Sequence, residues 1–380
     1  MGDSSAISFP DSVRGRNRWV LERRGPKPAV DAYRPHDAFW EREPSLTGGG
    51  FSDVLTVLLA TVECPWRCVM CDLWKFTTTL DATPAGAVTR QLTMALEKAW
   101  SHLPAGRGSE GAASAGSSAI KLYNAGSFFD PRAVPVGEYE AIAGLIGSRG
   151  FGRVVVECHP ALVGQRALDF QRSLRLAAGP GPQCGEQAVR LEVAMGLETA
   201  HPEALAKLNK GMTLASFRRA ASKLRDYDID LRVFLLVKPP FLVGDEEAFD
   251  WARRSFDLAC DCGARVVSFI PTRGGNGAMD TLQQAGLFHP PSWELVKSVF
   301  EYGLSQRRAV CLLDLWDVDR FLPCPGCRER RKERLMRMNL TQQLEGDNEH
   351  DDKRTGNGCC GGVAGGGVKC EVCGSDNDDL

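Results

Sequence analysis

The sequence predicts an α/β fold closed as a partial (β/α)6 barrel, and two patterns predict it. Six short, nearly continuously apolar segments, at residues 54–62, 119–124, 154–157, 189–195, 231–237 and 264–270, alternate with stretches of helical periodicity. Strands that are apolar on both faces are buried on both faces, as in a parallel sheet covered by helices. The second pattern is the residue types that follow the strands: Cys64, Gly126, Ser127, Glu157 and Glu198 each stand just beyond a strand end. Barrels of this kind gather their chemistry at the C-terminal ends of their strands, so these residues are expected to face one opening.

The remaining elements follow in chain order. Residues 1–50 have little periodicity and read as an irregular leader packed outside the core. Its Arg14, Arg16, Arg18, Arg23, Arg24 and Lys27, interleaved with Trp19, suit either a phosphate-contacting arm or a solvated face. Helices are expected at 84–103, with Thr83 as cap and Pro84 in the first turn, and at 136–148, 213–227, 246–260 and 290–304. The Gly/Ala/Ser-rich stretch at 106–118 reads as a surface insertion, and 310–313 as an extra strand. After Cys324-Pro325-Gly326-Cys327 comes a basic helical segment at 328–337, then an acidic run at 345–352 and small residues at 356–367. The expected organisation is a leader at 1–50, a barrel at 51–315, a CxxC and basic segment at 316–345, and a glycine-rich, cysteine-containing, largely disordered tail at 346–380.

A chain of 380 residues can bury a full core, and 43% hydrophobic with 25% charged residues is the balance of a soluble globular protein. A net charge of -2 gives no global case for nucleic acid, so any RNA contact must come from local basic patches. No run approaches the ~18 apolar residues of a membrane span, and the polar N-terminus lacks the apolar core of a secretory signal. The expectation is a cytoplasmic protein without membrane contact. Fourteen cysteines clustered as C-x3-C-x2-C, CxxC, CC and CxxC argue for metal rather than a disulfide framework. Cys158, Cys184, Cys260, Cys262 and Cys311 sit in or near apolar segments and read as buried structural thiols.

The chemistry centres on Cys64-Pro65-Trp66-Arg67-Cys68-Val69-Met70-Cys71. Thiolates at this spacing suit soft metals, and three of them suit an iron-sulfur cubane with one open iron better than a structural zinc, which wants four protein ligands. A zinc site completed from elsewhere in the chain is the competing reading. On these residues the sequence resembles the radical S-adenosylmethionine (SAM) superfamily. That resemblance implies a 4Fe-4S cluster held by Cys64, Cys68 and Cys71, whose unique iron takes the amino and carboxylate groups of SAM. It also implies reductive cleavage of SAM to a 5′-deoxyadenosyl radical, with a flavodoxin or ferredoxin as one-electron donor.

Other candidates line the strand ends. Asn124-Ala125-Gly126-Ser127 resembles the glycine-containing element that holds the SAM amino group through backbone carbonyls; otherwise it is a strand-to-helix turn. Glu157 and Glu198 suit hydrogen bonds from ribose hydroxyls or a substrate amine, or the capping of a helix. Glu192, inside its strand, needs a positive partner if it points inward, the SAM amino group or Lys210. His159 and His289 read as proton donors or ligands, or as structural residues, since each precedes a proline. Trp66 and Trp74 flank the cysteine loop, to shield it, stack on adenine or pack in the core. Cys324 and Cys327 with Cys370 and Cys373, and Cys359 and Cys360 between, make a second candidate metal site for zinc or an auxiliary cluster.

Several stretches look like the radical SAM branch that includes the Elongator catalytic subunit and the archaeosine-forming enzyme of transfer RNA modification. They are Tyr123-Asn124-Ala125-Gly126-Ser127-Phe128-Phe129-Asp130, Gly196-Leu197-Glu198-Thr199 with Asn209-Lys210-Gly211, His289-Pro290-Pro291-Ser292-Trp293, and residues 331–339. The resemblance spans roughly residues 50–345 and implies an RNA nucleoside as substrate, cleavage of a carbon–nitrogen bond in a base modified by an amino acid, and ligand contacts from Lys210 and Glu198. The glycine-rich exit at 271–277 and the cysteine-rich tail depart from that pattern, and no acetyltransferase-like stretch follows the barrel. A small molecule or peptide is the alternative substrate, and a non-catalytic zinc-binding interaction module the alternative of another class.

Overall fold

The computed structural model describes residues 9–46, 49–101, 118–177, 189–322 and 325–345. The chain enters through α1 (Val13–Leu21) and β1 (Asp37–Pro44), and β1 runs antiparallel to β2 (Phe51–Leu59). Alternation then sets in: α2 (Ala87–Ser101) leads to β3 (Ala119–Asn124), α3 (Tyr139–Ser148) to β4 (Arg153–Glu157), and α4 (Gln165–Ala177) to β5 (Arg190–Glu198). Next, α5 (Pro202–Lys207) and α6 (Leu214–Asp226) lead to β6 (Asp230–Val237), and α7 (Asp245–Asp261) to β7 (Ala264–Pro271). Finally α8 (Ala278–Gln284) and α9 (Trp293–Gln306) lead to β8 (Val310–Leu313), and α10 (Pro325–Thr341) follows. The eight strands form one sheet in chain order, parallel from β2 to β8, curled into an open barrel. This is the α/β partial TIM barrel that the apolar strands predict.

Side-chain parity separates two faces. Ile120, Leu122, Val154, Val156, Leu191, Val193, Val233 and Leu235 join the core under the helices. Their neighbours in sequence point into the barrel, because successive side chains on a strand alternate. At the N-terminal end of the barrel those inward residues are charged. Both terminal nitrogens of Arg232 donate to Glu43 at 2.8 Å, and its Nε donates to Glu192 at 2.5 Å. Arg153 Nη1 reaches Glu192 at 2.8 Å, and Lys121 Nζ lies 2.6 Å from Glu43 and 2.8 Å from Glu41. Burial alone would raise the pKa of Glu43, but Arg232, Lys121 and Arg153 outweigh it and hold the carboxyl well below its usual range.

Four sequence expectations are corrected here. The leader is not irregular throughout: it holds a helix and an edge strand, hidden because the inward residues of that strand, Glu41 and Glu43, are carboxylates facing cations. Its cations are largely committed to intramolecular bonds. Arg16 donates to Asn209, Arg24 pairs with Glu63, Lys27 donates to the Thr78 carbonyl, and Arg23 covers the Trp19 ring. Glu192 points inward, but its partners are Arg153 and Arg232, not Lys210, from which it is separated by most of the strand. Helices α4, α5 and α8 complete connections the sequence reading left blank. The connector at 106–118, apart from Ser118, and the tail at 346–380 lie outside the described residues.

The buried network makes a direct prediction. Arg232→Met should cost about 3–5 kcal/mol in denaturant unfolding, because it strands two buried carboxylates. Arg18→Met, which removes an exposed pair with Glu22, should cost about 0–1 kcal/mol. Since the folded pKa of Glu43 lies below its unfolded value of 4.5, its contribution is complete above that pH and is lost as pH falls through the folded value.

Candidate active site at the barrel mouth

The cysteine motif leaves β2 at the C-terminal end of the barrel and is clamped from several sides. Val69 N donates to the Leu208 carbonyl at 3.0 Å, and Asn209 Nδ2 donates to the Arg67 carbonyl at 2.8 Å. Asn276 Nδ2 donates to the carbonyls of Val69 at 2.8 Å and Cys71 at 3.2 Å. Glu63 lies between Arg24 at 2.8 Å and Arg67 at 3.3 Å, while Arg67 also donates to the Cys64 carbonyl at 2.7 Å. Trp19 and Val20 of α1 bury Val69 together with Met279 and Phe288. The loop is therefore fixed by protein contacts on several sides.

Cys64, Cys68 and Cys71 are half-buried and unbridged. Burial pushes all three thiols up, Cys71 to about 12, and each is raised further by at least one of the others or by a nearby carboxylate. The Lys210 ammonium pulls Cys64 and Cys68 back down. Three neighbouring thiols that resist ionisation on their own suit a cationic metal group, which would replace their protons and offset most of the thiolate charge. Among the described residues no three such side chains converge on the position of a single ion. A cubane does not require that, because each thiolate binds a separate iron.

At the β3 exit, a Cβ on Gly126 would stand 2.3 Å from the Val62 carbonyl oxygen and 2.8 Å from Thr61 Oγ1, so only glycine lets this turn lie against the start of the cysteine loop. Asn124, with its amide oxygen turned toward the turn, accepts from the backbone of Ser127 at 3.1 Å and Gly126 at 3.3 Å. Ser127 Oγ accepts from His159 N at 2.9 Å. Both side chains are thus occupied in shaping the turn, and what they leave for a ligand is backbone.

Beside them, Glu198 forms an ion pair with Lys210 Nζ, and Glu157 ends β4 next to that pair. Trp66, inside the cysteine motif, stacks on His159 with ring centroids 3.5 Å apart and planes 14° apart. His159 Nδ1 accepts from Ala161 N at 3.1 Å, which leaves Nε2–H to donate to the Lys210 carbonyl at 2.9 Å. Burial, then the Lys210 charge, lower His159 to about 4, so it is neutral at physiological pH. Sequence reasoning named Tyr123 only as part of the branch motif and did not name Phe234; their half-buried rings meet edge-on at 6.2 Å inside the barrel, and their parity with Lys121 and Arg232 was the available signal. It also passed over Asn276, which no local pattern marks as a clamp. Trp74 is buried under Arg24, and His289 is exposed. Cys324, Cys370 and Cys373, and the side chain of Cys327, lie outside the described residues.

No family model matches the chain. An uncharacterised protein of Methanocaldococcus jannaschii is 24% identical over 352 residues, covering 88% of this chain and 89% of that protein. Archaeosine synthase subunit beta of Methanosarcina acetivorans is 25% identical over 181 residues, 47% of this chain and 49% of that protein. Among solved structures, the radical SAM methyltransferase TsrM of Kitasatospora setae, with tryptophan and a SAM analogue bound, is 16% identical with a TM-score of 0.37, covering 61% of this chain and 38% of that one. Other solved structures similar to the chain are likewise radical SAM enzymes. The chain spans about half the archaeosine synthase subunit and less of TsrM.

The packing at Gly126 can be tested against a glycine with room around it. Gly126→Ala should destabilise by about 1–3 kcal/mol and displace the cysteine loop. Gly144→Ala, within α3 and with nothing within 4 Å of the added carbon, should stabilise by about 0.5–1 kcal/mol. Thermal unfolding of the two variants reads both signs.

Proposed function

We propose that this chain, built like the radical SAM enzymes, holds a 4Fe-4S cluster on Cys64, Cys68 and Cys71, cleaves SAM reductively and modifies an RNA nucleoside, with tRNA as the RNA partner. The observation that carries the reading is the set of three coupled thiols on a loop fixed at the mouth of a half-barrel, with the Lys210–Glu198 pair beside them. A cluster bound on these thiols would supply the electron for reductive cleavage of SAM to methionine and a 5′-deoxyadenosyl radical that abstracts hydrogen. The protein's part is to position and shield. The backbone of Gly126 and Ser127 offers hydrogen-bonding groups beside the start of the cysteine loop, the Lys210 ammonium offsets thiolate charge, and Trp66 with α1 screens the loop from water.

The RNA reading is supported by the archaeosine synthase relative and by the branch motifs. The reading also takes a flavodoxin or ferredoxin as donor, the cytoplasm as compartment, and zinc or an auxiliary cluster on Cys324, Cys327, Cys370 and Cys373. Among the described residues no helix is long and apolar enough to cross a membrane.

The decisive measurement is anaerobic iron, sulfide and zinc analysis with electron paramagnetic resonance of the reduced protein, with and without SAM, on wild type and Cys68→Ala. A cluster signal that shifts with SAM and disappears in the variant is expected; zinc without iron, unaffected by the variant, would overturn the assignment. Bound RNA should copurify and be released steeply by salt, as phosphate contacts are.

A further inference from the structure

The charges inside the barrel fall into two layers. The floor balances, with Glu41, Glu43 and Glu192 against Lys121, Arg153 and Arg232. The mouth does not: Glu157 and Glu198 share Lys210, and Lys210 is committed to Glu198. Among the described residues the Glu157 carboxyl makes no hydrogen bond or ion pair, although it is half-buried. By strand parity it points inward from β4, on the same face as Arg153. Next to it in the sheet, β3 turns Tyr123 inward, whose ring meets Phe234 across the barrel. An inward carboxylate without a counter-ion, beside two partly open aromatic rings, is one cation short.

Of the two mouth carboxyls, Glu198 is held by Lys210, which leaves Glu157 as the one without a partner. We propose that Glu157 is the specificity anchor of the substrate, receiving a protonated amine carried by a flat ring that packs against the half-open Tyr123 and Phe234 rings, and that it is not a SAM ligand. The proposal rests on the mouth being the active site as assigned above. Burial, with the Glu198 charge adding to it and Lys210 and Lys121 opposing, raises Glu157 to about 7, so an arriving cation finds a group poised to ionise.

The test uses the full chain and two probes of one shape, benzylamine and benzyl alcohol, with affinities measured by ligand-observed NMR on wild type, Glu157→Gln and Glu157→Asp. At about pH 8, where the carboxyl is ionised and the amine still protonated, wild type should prefer benzylamine by about tenfold or more, the range of a charge-assisted hydrogen bond. That preference should fade as pH falls toward about 6 and the carboxyl protonates. Glu157→Gln should abolish it and Glu157→Asp retain part of it. Equal affinity of wild type for both probes, or a preference that survives Glu157→Gln, would overturn the proposal. In the reconstituted protein, Glu157→Gln should keep the SAM-induced shift of the cluster signal; its loss would reassign Glu157 to SAM and equally overturn the proposal. Should wild type form no cluster, the radical SAM reading fails, and the amine and alcohol probes still decide what Glu157 binds.

Discussion

Arg232 is 1% exposed and lies inside the barrel, and much of the architecture answers to that buried charge. A guanidinium there needs carboxylates with good geometry, since an unpaired buried charge costs several kcal/mol. One partner, Glu192, comes from the adjacent strand; the other, Glu43, is 189 residues away on β1. The antiparallel strand is therefore more than an edge cover. It carries Glu41 and Glu43 to the barrel floor, and its register against β2, Glu43 opposite Ser52 and Asp37 opposite Leu58, fixes the strand from which the cysteine loop departs. A polar floor thus sets the position of the site at the other end.

The seam of the open sheet is handled by the same economy of hydrogen bonds. Asn339 of α10 both donates to the Leu313 carbonyl and accepts from the Leu313 amide, at 2.9 and 2.7 Å. Gln342 does the same for Cys311, at 2.8 and 2.7 Å. Two side-chain amides thus imitate the next strand along the exposed edge of β8, and α10 also packs against β1 at the opposite edge. An uncovered edge would invite pairing with another chain. The basic segment after the first CxxC is, in its second half, a structural closure, which is why Leu335 and Met338 are buried there while Arg337 is exposed.

Seven of the eight strands were legible because a strand buried on both faces writes its burial into consecutive apolar residues. The cysteine motif and Gly126 were legible because their spacing and position carry chemistry that few other residues can supply. β1 was not, since charge replaces hydrophobicity on its inward face and the reason lies on strands far along the chain. For Glu192 the need for a positive partner was readable, yet the choice among Lys210, Arg153 and Arg232 depends on height along the barrel, which only the register decides. The basic leader stayed open between two readings for the opposite reason: charge pattern alone does not tell a cation aimed at phosphate from one committed to Glu63 or to a backbone carbonyl.

The mouth itself is held together by removal of side-chain bulk. A Cβ on Gly196 would stand 2.1 Å from Glu198 Oε1 and 2.3 Å from Lys210 Nζ, and one on Gly211 would stand 2.7 Å from the Trp66 ring. Those two glycines bracket a continuous path of contacts: Trp66 of the cysteine motif on His159, His159 to the Lys210 carbonyl, and the Lys210 ammonium to Glu198. His159 is the joint of this path, and its neutrality matters, because a second positive charge beside Lys210 would push against the ammonium that offsets the thiols. The loop that bears the cysteines and the Glu198 carboxylate are thereby joined by one line of contacts, so a displacement of either moves the other.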